Sequence, residues 1–170
     1  SKKYSTTEID YSFTEIELPE LNSSTKTPTQ IASNNIRVGS SEVDLNIPSN
    51  SKVDNRYAIV IGNEDYQSYQ RSLNAEQNVD YAVNDAKVFK EYCLKTFGLK
   101  EENLDFITNA TAGAMNQKFN KVIKLMEKIG PQAELIVYYA GHGFPDEITK
   151  EPYLVPVDVS GTDLSAAIKL

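Results

Sequence analysis

Glu134-Leu135-Ile136-Val137-Tyr138-Tyr139-Ala140-Gly141-His142-Gly143 is the stretch that decides the fold. Leu135 to Ala140 is an apolar run rich in β-branched and aromatic residues. A run of this kind reads as a strand buried on both faces, as in a parallel sheet. It ends abruptly in Gly-His-Gly, where the glycines let the backbone turn sharply and approach a ligand closely. His142, the only histidine of the chain, is thereby placed at the carboxyl end of a central strand. In an open α/β sheet that edge is where sites are built. A histidine met alone is most often structural or merely exposed; its place here makes it a candidate catalytic residue.

Outward from this stretch the same pattern repeats. Tyr57-Ala58-Ile59-Val60-Ile61 is an apolar run closed by Gly62-Asn63, and Leu104-Asp105-Phe106-Ile107-Thr108 is another. Between them, residues 79–97 place Ala82, Ala86, Phe89, Cys93 and Phe97 on one helical face, with Gly98 as the stop. Thr111 suits the N-cap of a helix running to Lys128, with Phe119, Ile123 and Met126 inward and Gly130-Pro131 as its end. Strands alternating with helices imply right-handed crossovers and a mainly parallel sheet covered on both sides, a three-layer α/β/α fold. Residues 64–77 read as a long loop leaving the same sheet edge. Phe144 to Glu151 reads as a polar loop, and Tyr153 to Asp158 as a short extended piece bent at Pro156. The segment up to Leu170 reads as a lead into another crossover helix. Three strands are few for this pattern, so the fold is expected to be incomplete in this chain.

Residues 1–55 differ in composition, being rich in Ser, Thr, Asn and Pro. They read as an irregular or β-containing N-terminal extension or linker. Ile36 and Val38 would pair with Val43, Leu45 and Ile47 through a turn at Gly39-Ser40-Ser41, and Tyr11, Phe13, Ile16 and Leu18 would form a third extended piece. The compact domain is expected to span 56–170. A net charge of -7 argues against a nucleic-acid surface. No apolar run approaches the roughly 20 residues of a membrane span. A single cysteine rules out an internal disulfide and a Cys-rich metal site. None of this fixes the compartment.

Four pieces in this order carry a resemblance: Tyr57-Ala58-Ile59-Val60-Ile61-Gly62-Asn63, Asn84-Asp85-Ala86, Tyr138-Tyr139-Ala140-Gly141-His142-Gly143 and Tyr153-Leu154-Val155-Pro156-Val157-Asp158. Over residues 56–170 the chain resembles the caspase-like cysteine peptidases, the group of caspases, metacaspases and bacterial relatives, and is similar to a bacterial-type member. The resemblance implies a Cys-His dyad hydrolysing peptide bonds. His142 would assist deprotonation of the thiol and protonate the leaving amine, and the Gly143 backbone N–H would form half of an oxyanion hole. The family's nucleophile lies on the strand after the histidine strand. This chain has no cysteine after His142, and Cys93 sits on an apolar helix face, where a thiol is inert. The nucleophile is therefore expected beyond Leu170, on a second polypeptide segment. The family's maturation into two chains fits that expectation, with Lys169 as a residue for autoprocessing.

In metacaspase-like members an Asp at the start of the first helix lines the pocket for the residue before the scissile bond, so Asp85 would select Arg or Lys. Its other reading is a first-turn carboxylate favoured by the helix dipole. Arg71, farther back in the loop, is a second substrate-binding candidate; it would select Asp instead. No cofactor is expected. Asp146, Glu147, Glu151 and Asp158 offer oxygen ligands that would suit calcium, but without a recognisable ligand spacing they read first as a solvated loop. Two other functions stand beside the peptidase. One is a catalytically inactive caspase-like binding or scaffold module. The other is an unrelated doubly wound domain that binds an anion at its strand ends, which the absence of a glycine-rich phosphate loop disfavours.

Overall fold

The computed structural model describes residues 44–74 and 77–170. The expected pairing of Ile36 and Val38 through Gly39-Ser40-Ser41, the extended piece at Tyr11 to Leu18 and the rest of the extension before Asp44 lie outside the described residues.

A three-stranded parallel sheet has the order β2-β1-β3, with β1 at Arg56–Gly62, β2 at Leu104–Thr108 and β3 at Glu134–Ala140. Val60 stands between Phe106 on one side and Tyr138 on the other. β1 takes the centre because its apolar run faces both ways: Ala58, Ile59, Val60 and Ile61 are all buried. Alternation along the strands splits the core in two. Ala58 and Val60 pack with Ala86, Phe89, Cys93 and Tyr138, under α1 at Ala82–Lys95. Ile59 and Ile61 pack with Met115, Phe119, Val122 and Met126, under α2 at Ala112–Ile129. The helices thus cover opposite faces, and the fold is the expected mixed α/β architecture.

Several expectations need correction. α1 begins at Ala82 rather than 79, because Tyr81 holds a left-handed conformation, φ 70°, that a right-handed helix cannot include. The orphan N–H of Val83 is accepted by the Glu64 carboxylate at 3.0 Å, a cap supplied from β1's end. On α2 the buried positions are Met115 and Val122, while Ile123 is 49% exposed; the inward face is set by the 115–119–122–126 spacing. Among the described residues β3 lies at the edge of this sheet, and its α2-side residues Leu135 and Val137 are 38% and 44% exposed.

The region after His142 is not a bare loop. β4 (Gly143–Pro145), β5 (Pro152–Leu154) and β6 (Ile168–Lys169) form a small antiparallel sheet. Asp146 closes the β4–β5 turn by accepting from the N–H groups of Ile148 and Thr149. Residues 159–170 hold a single 3-10 turn, Leu164–Ala166, and β6. Residues 44–47 do not form a strand either; Leu45 is 66% exposed. The chain from Asp44 to Asn55 instead straps the carboxyl end of α1. Asn50 N–H donates to Lys95 O, Lys52 Nζ to Leu94 O and Leu99 O, and Val53 N–H to Gly98 O. The bonds to Leu94 O and Lys95 O satisfy carbonyls that the end of α1 leaves unpaired.

Candidate active site

The carboxyl ends of β1 and β3 meet at a buried polar centre. Asn63, fully buried, accepts from Ala110 N–H at 2.7 Å through Oδ1, and its Nδ2 lies 3.3 Å from Ala110 O and 3.4 Å from Val155 O. One side chain therefore ties β1's end to the entry of α2 and to the segment after β5. Val157 N–H bonds Ala110 O, and Asp158 accepts from Ala112 N–H at 2.7 Å.

His142 lies just beyond β3 and is half-buried. Its backbone is held by two tyrosine hydroxyls. The His142 N–H donates to Tyr66 Oη at 2.9 Å, and Tyr139 Oη donates to His142 O at 2.9 Å. Val155 O lies 2.9 Å from the Tyr66 hydroxyl and 2.7 Å from that of Tyr139, and the two hydroxyls are 3.1 Å apart. Burial pushes both phenols up, that of Tyr139 far up, so both stay protonated at any physiological pH. This clamp explains Gly141. A Cβ there would lie 2.6 Å from Tyr139 Oη and 2.9 Å from Tyr66 Oη, so any side chain would push the tyrosines away.

The imidazole is positioned as well. Its ring lies 4.5 Å from the Tyr66 ring and 6.3 Å from that of Phe144, centroid to centroid. Nε2 is 2.6 Å from the carbonyl oxygen of Gln77. A carbonyl only accepts, so in the neutral ring Nε2 carries the proton and Nδ1 keeps the lone pair. The loop at 64–80 thus fixes the tautomer. It is itself fixed by Asn78 Oδ1, which accepts from Tyr66 N–H and Gln67 N–H, and by Gln70 Nε2, which donates to Val157 O and Val159 O.

Gly143 opens β4 opposite Leu154. Val155 N–H bonds His142 O one position earlier. In an antiparallel ladder successive residues point their peptide groups to opposite sides, so the Gly143 N–H points away from β5. The nearest atom to a Cβ on Gly143 would be Tyr153 O at 3.3 Å.

Asp85 is exposed on the first turn of α1, beside Tyr138 of β3. Burial first, and then the Asp85 carboxylate, push the Tyr138 phenol up. Asp85 lines an open cleft of about 380 Å³ with Asp44, Tyr81, Phe89, Tyr92 and Tyr138. Asp44 was not visible as a site residue in the sequence; only the strap's return along α1, marked by the Tyr92 hydroxyl donating to Asp44 at 3.1 Å, brings it here. Among the described residues the cleft's lining has two carboxylates, aromatic walls and no cationic side chain. His142 lines a different hollow and shares no lining residue with Asp85. Arg71 is exposed on the 64–80 loop and lines neither.

Cys93 is fully buried among Ala58, Val60, Ala86 and Leu99, and burial pushes its thiol up to about 11. It is packed as a hydrophobe. The acidic residues after His142 do not converge. Asp146 closes its turn, Glu151 pairs with Lys169 at 2.7 Å, and Asp158 meets the start of α2. Among the described residues no three His, Cys, Asp or Glu side chains gather as metal ligands would, and no helix is long and apolar enough to cross a membrane.

A family model described as the caspase domain matches residues 55–169, well over half of the chain. No curated protein matches it.

Proposed function

Since the chain belongs to the caspase-domain family of cysteine peptidases, acting on peptides or proteins, we propose that it carries the histidine half of an endopeptidase that cuts after Arg or Lys. The observation that carries this reading is the Nε2 contact of His142 with the Gln77 carbonyl. It leaves Nδ1 as the base. A cysteine supplied beyond Leu170 passes its thiol proton to Nδ1, and the thiolate attacks the peptide carbonyl carbon. A C–S bond forms, and the carbonyl oxygen takes the negative charge beside the outward Gly143 N–H. The C–N bond then breaks, and the departing amine takes the proton from Nδ1. Water hydrolyses the resulting thioester by the reverse proton path.

The exposed apolar side of β3 at Leu135 and Val137 fits this division of labour, because a further strand added at that edge would bring a cysteine to the same sheet end. The domain of this reading is 56–170, with residues 1–55 as an extension.

For specificity, Asp85 and Asp44 attract a cation, and Tyr81, Tyr92 and Tyr138 offer ring faces to it. Tyr138 precedes His142 by four positions, about 13 Å of extended chain. That separation favours long cationic side chains. Calcium is given no role in this mechanism.

The test is hydrolysis by the complete protein of matched peptides bearing Arg, Lys or Asp before the scissile bond. Arg and Lys peptides are expected to be cut, and Asp85→Ala to lower their kcat/KM about tenfold or more. Preference for Asp would reject the pocket and favour Arg71.

A further inference from the structure

The hollow lined by His142 lies away from the acidic cleft, and its chemistry is the opposite. It has a volume of about 340 Å³, and its walls include Tyr66, Leu73, Phe144, Val155 and Val159. Among the described residues His142 is the one titratable side chain besides Tyr66 that lines it; its polar edge is made of Gln70, Gln77, Ser160 and Thr162. The volume lies at the lower end of the roughly 300–1,000 Å³ typical of small-ligand pockets, enough for one large side chain.

The walls are fixed by the fold. Val155 and Val159 are 2% and 6% exposed and pack on Tyr66, with Leu73 against them. Gln70 staples the 64–80 loop to this floor through the carbonyls of Val157 and Val159. Phe144, 42% exposed, stands on the other side, its ring against the site where a Cβ on Gly161 would fall, 2.8 Å away. A side chain at 161 would displace that ring.

We infer that this hollow is a binding site for an apolar side chain on the leaving-group side of the scissile bond, the residue immediately after the cut. The inference rests on the peptidase reading above and adds a second determinant to it. A general acid must lie within hydrogen-bond reach of the amine it protonates. The residue that owns this amine therefore lies against the His142 imidazole. Its side chain starts a few ångströms from the ring and has the hollow lined by that same ring beside it. Leucine, methionine or phenylalanine buries its apolar surface there; aspartate or lysine would lose hydration with no carboxylate, ammonium or guanidinium to pair with among the described lining residues. The substrate is thus read on both sides of the bond, a cation before it and a large apolar side chain after it.

Two peptide series on the complete protein test this. Both carry Arg before the scissile bond. One ends in a fluorogenic amide leaving group with no side chain; the other places Leu, Phe, Gly, Asp or Lys after the bond. Leu and Phe are expected to exceed Gly, Asp and Lys by about tenfold or more in kcat/KM. Leu73→Lys should raise kcat/KM for the Asp peptide relative to the Leu peptide, an inversion of preference that a folding defect would not produce. Cleavage of the amide with a flat profile in the second series would overturn this inference and leave the peptidase reading standing. Cleavage of neither series would overturn both.

Discussion

At the residue scale, the candidate site depends on groups that hold His142 from behind. Tyr66→Phe removes the oxygen that accepts from the His142 N–H. The stranded donor should cost about 1–3 kcal/mol of stability, measured by denaturant unfolding. A displaced imidazole should also lower kcat about tenfold or more with KM little changed. Loss of stability with kcat intact would make Tyr66 structural only rather than a positioning residue. Cys93 gives the opposite expectation. Its thiol is raised from 9.0 to about 11 in the folded chain, so the fold favours the protonated form. The stabilisation is whole below pH 9.0 and is lost as the pH rises through about 11. Cys93→Ala should therefore flatten the stability profile over that alkaline window and leave peptidase activity in place; an inactive variant that is still folded would contradict the assignment. The placement of His142 just past a strand end and of Asp85 in the first turn of a helix was legible because strand ends and helix starts have local signatures. Gln77 was not, since what it contributes is a backbone carbonyl, and Asp44 was not, since only tertiary packing brings the strap to α1.

At the scale of elements, both ends of α2 were legible to within a residue. Thr111 accepts from Ala114 N–H at 3.3 Å, and Gly130 ends the helix with φ 85°. Both signals sit within a few residues of the turn they control. The start of α1 was misplaced because Glu64, far back in the chain, supplies its cap. β4 and β6 were missed, and β5 was read only as part of an extended piece, because strands of two or three residues carry no period and their pairing is non-local. The junction at α2 yields a prediction. Thr111→Ala should cost about 1 kcal/mol, as N-cap losses do. Asp158→Ala should cost a similar amount, since it too accepts from this turn, at Ala112 N–H. Thermal or denaturant midpoints of each variant decide it, and no shift in either would remove the junction from the account.

At the scale of the whole molecule, the parallel sheet stops at β3 among the described residues, with Leu135 and Val137 partly bare on its α2 side. If a further strand covers them, Val137→Lys should change the stability of the present 170-residue chain by no more than about 0.5 kcal/mol. The same substitution should markedly reduce activity of the complete protein, where the lysine would be buried. Equal activity would mean that the nucleophile does not arrive along this edge. The most direct measurement of the central claim is kcat/KM of the complete protein for an Arg peptide, with and without His142→Ala, alongside the thermal midpoint of each. The account predicts a loss on the order of 10²–10⁴-fold, the usual worth of general acid–base catalysis, with the midpoint unchanged. Full activity in the folded His142→Ala protein would contradict it.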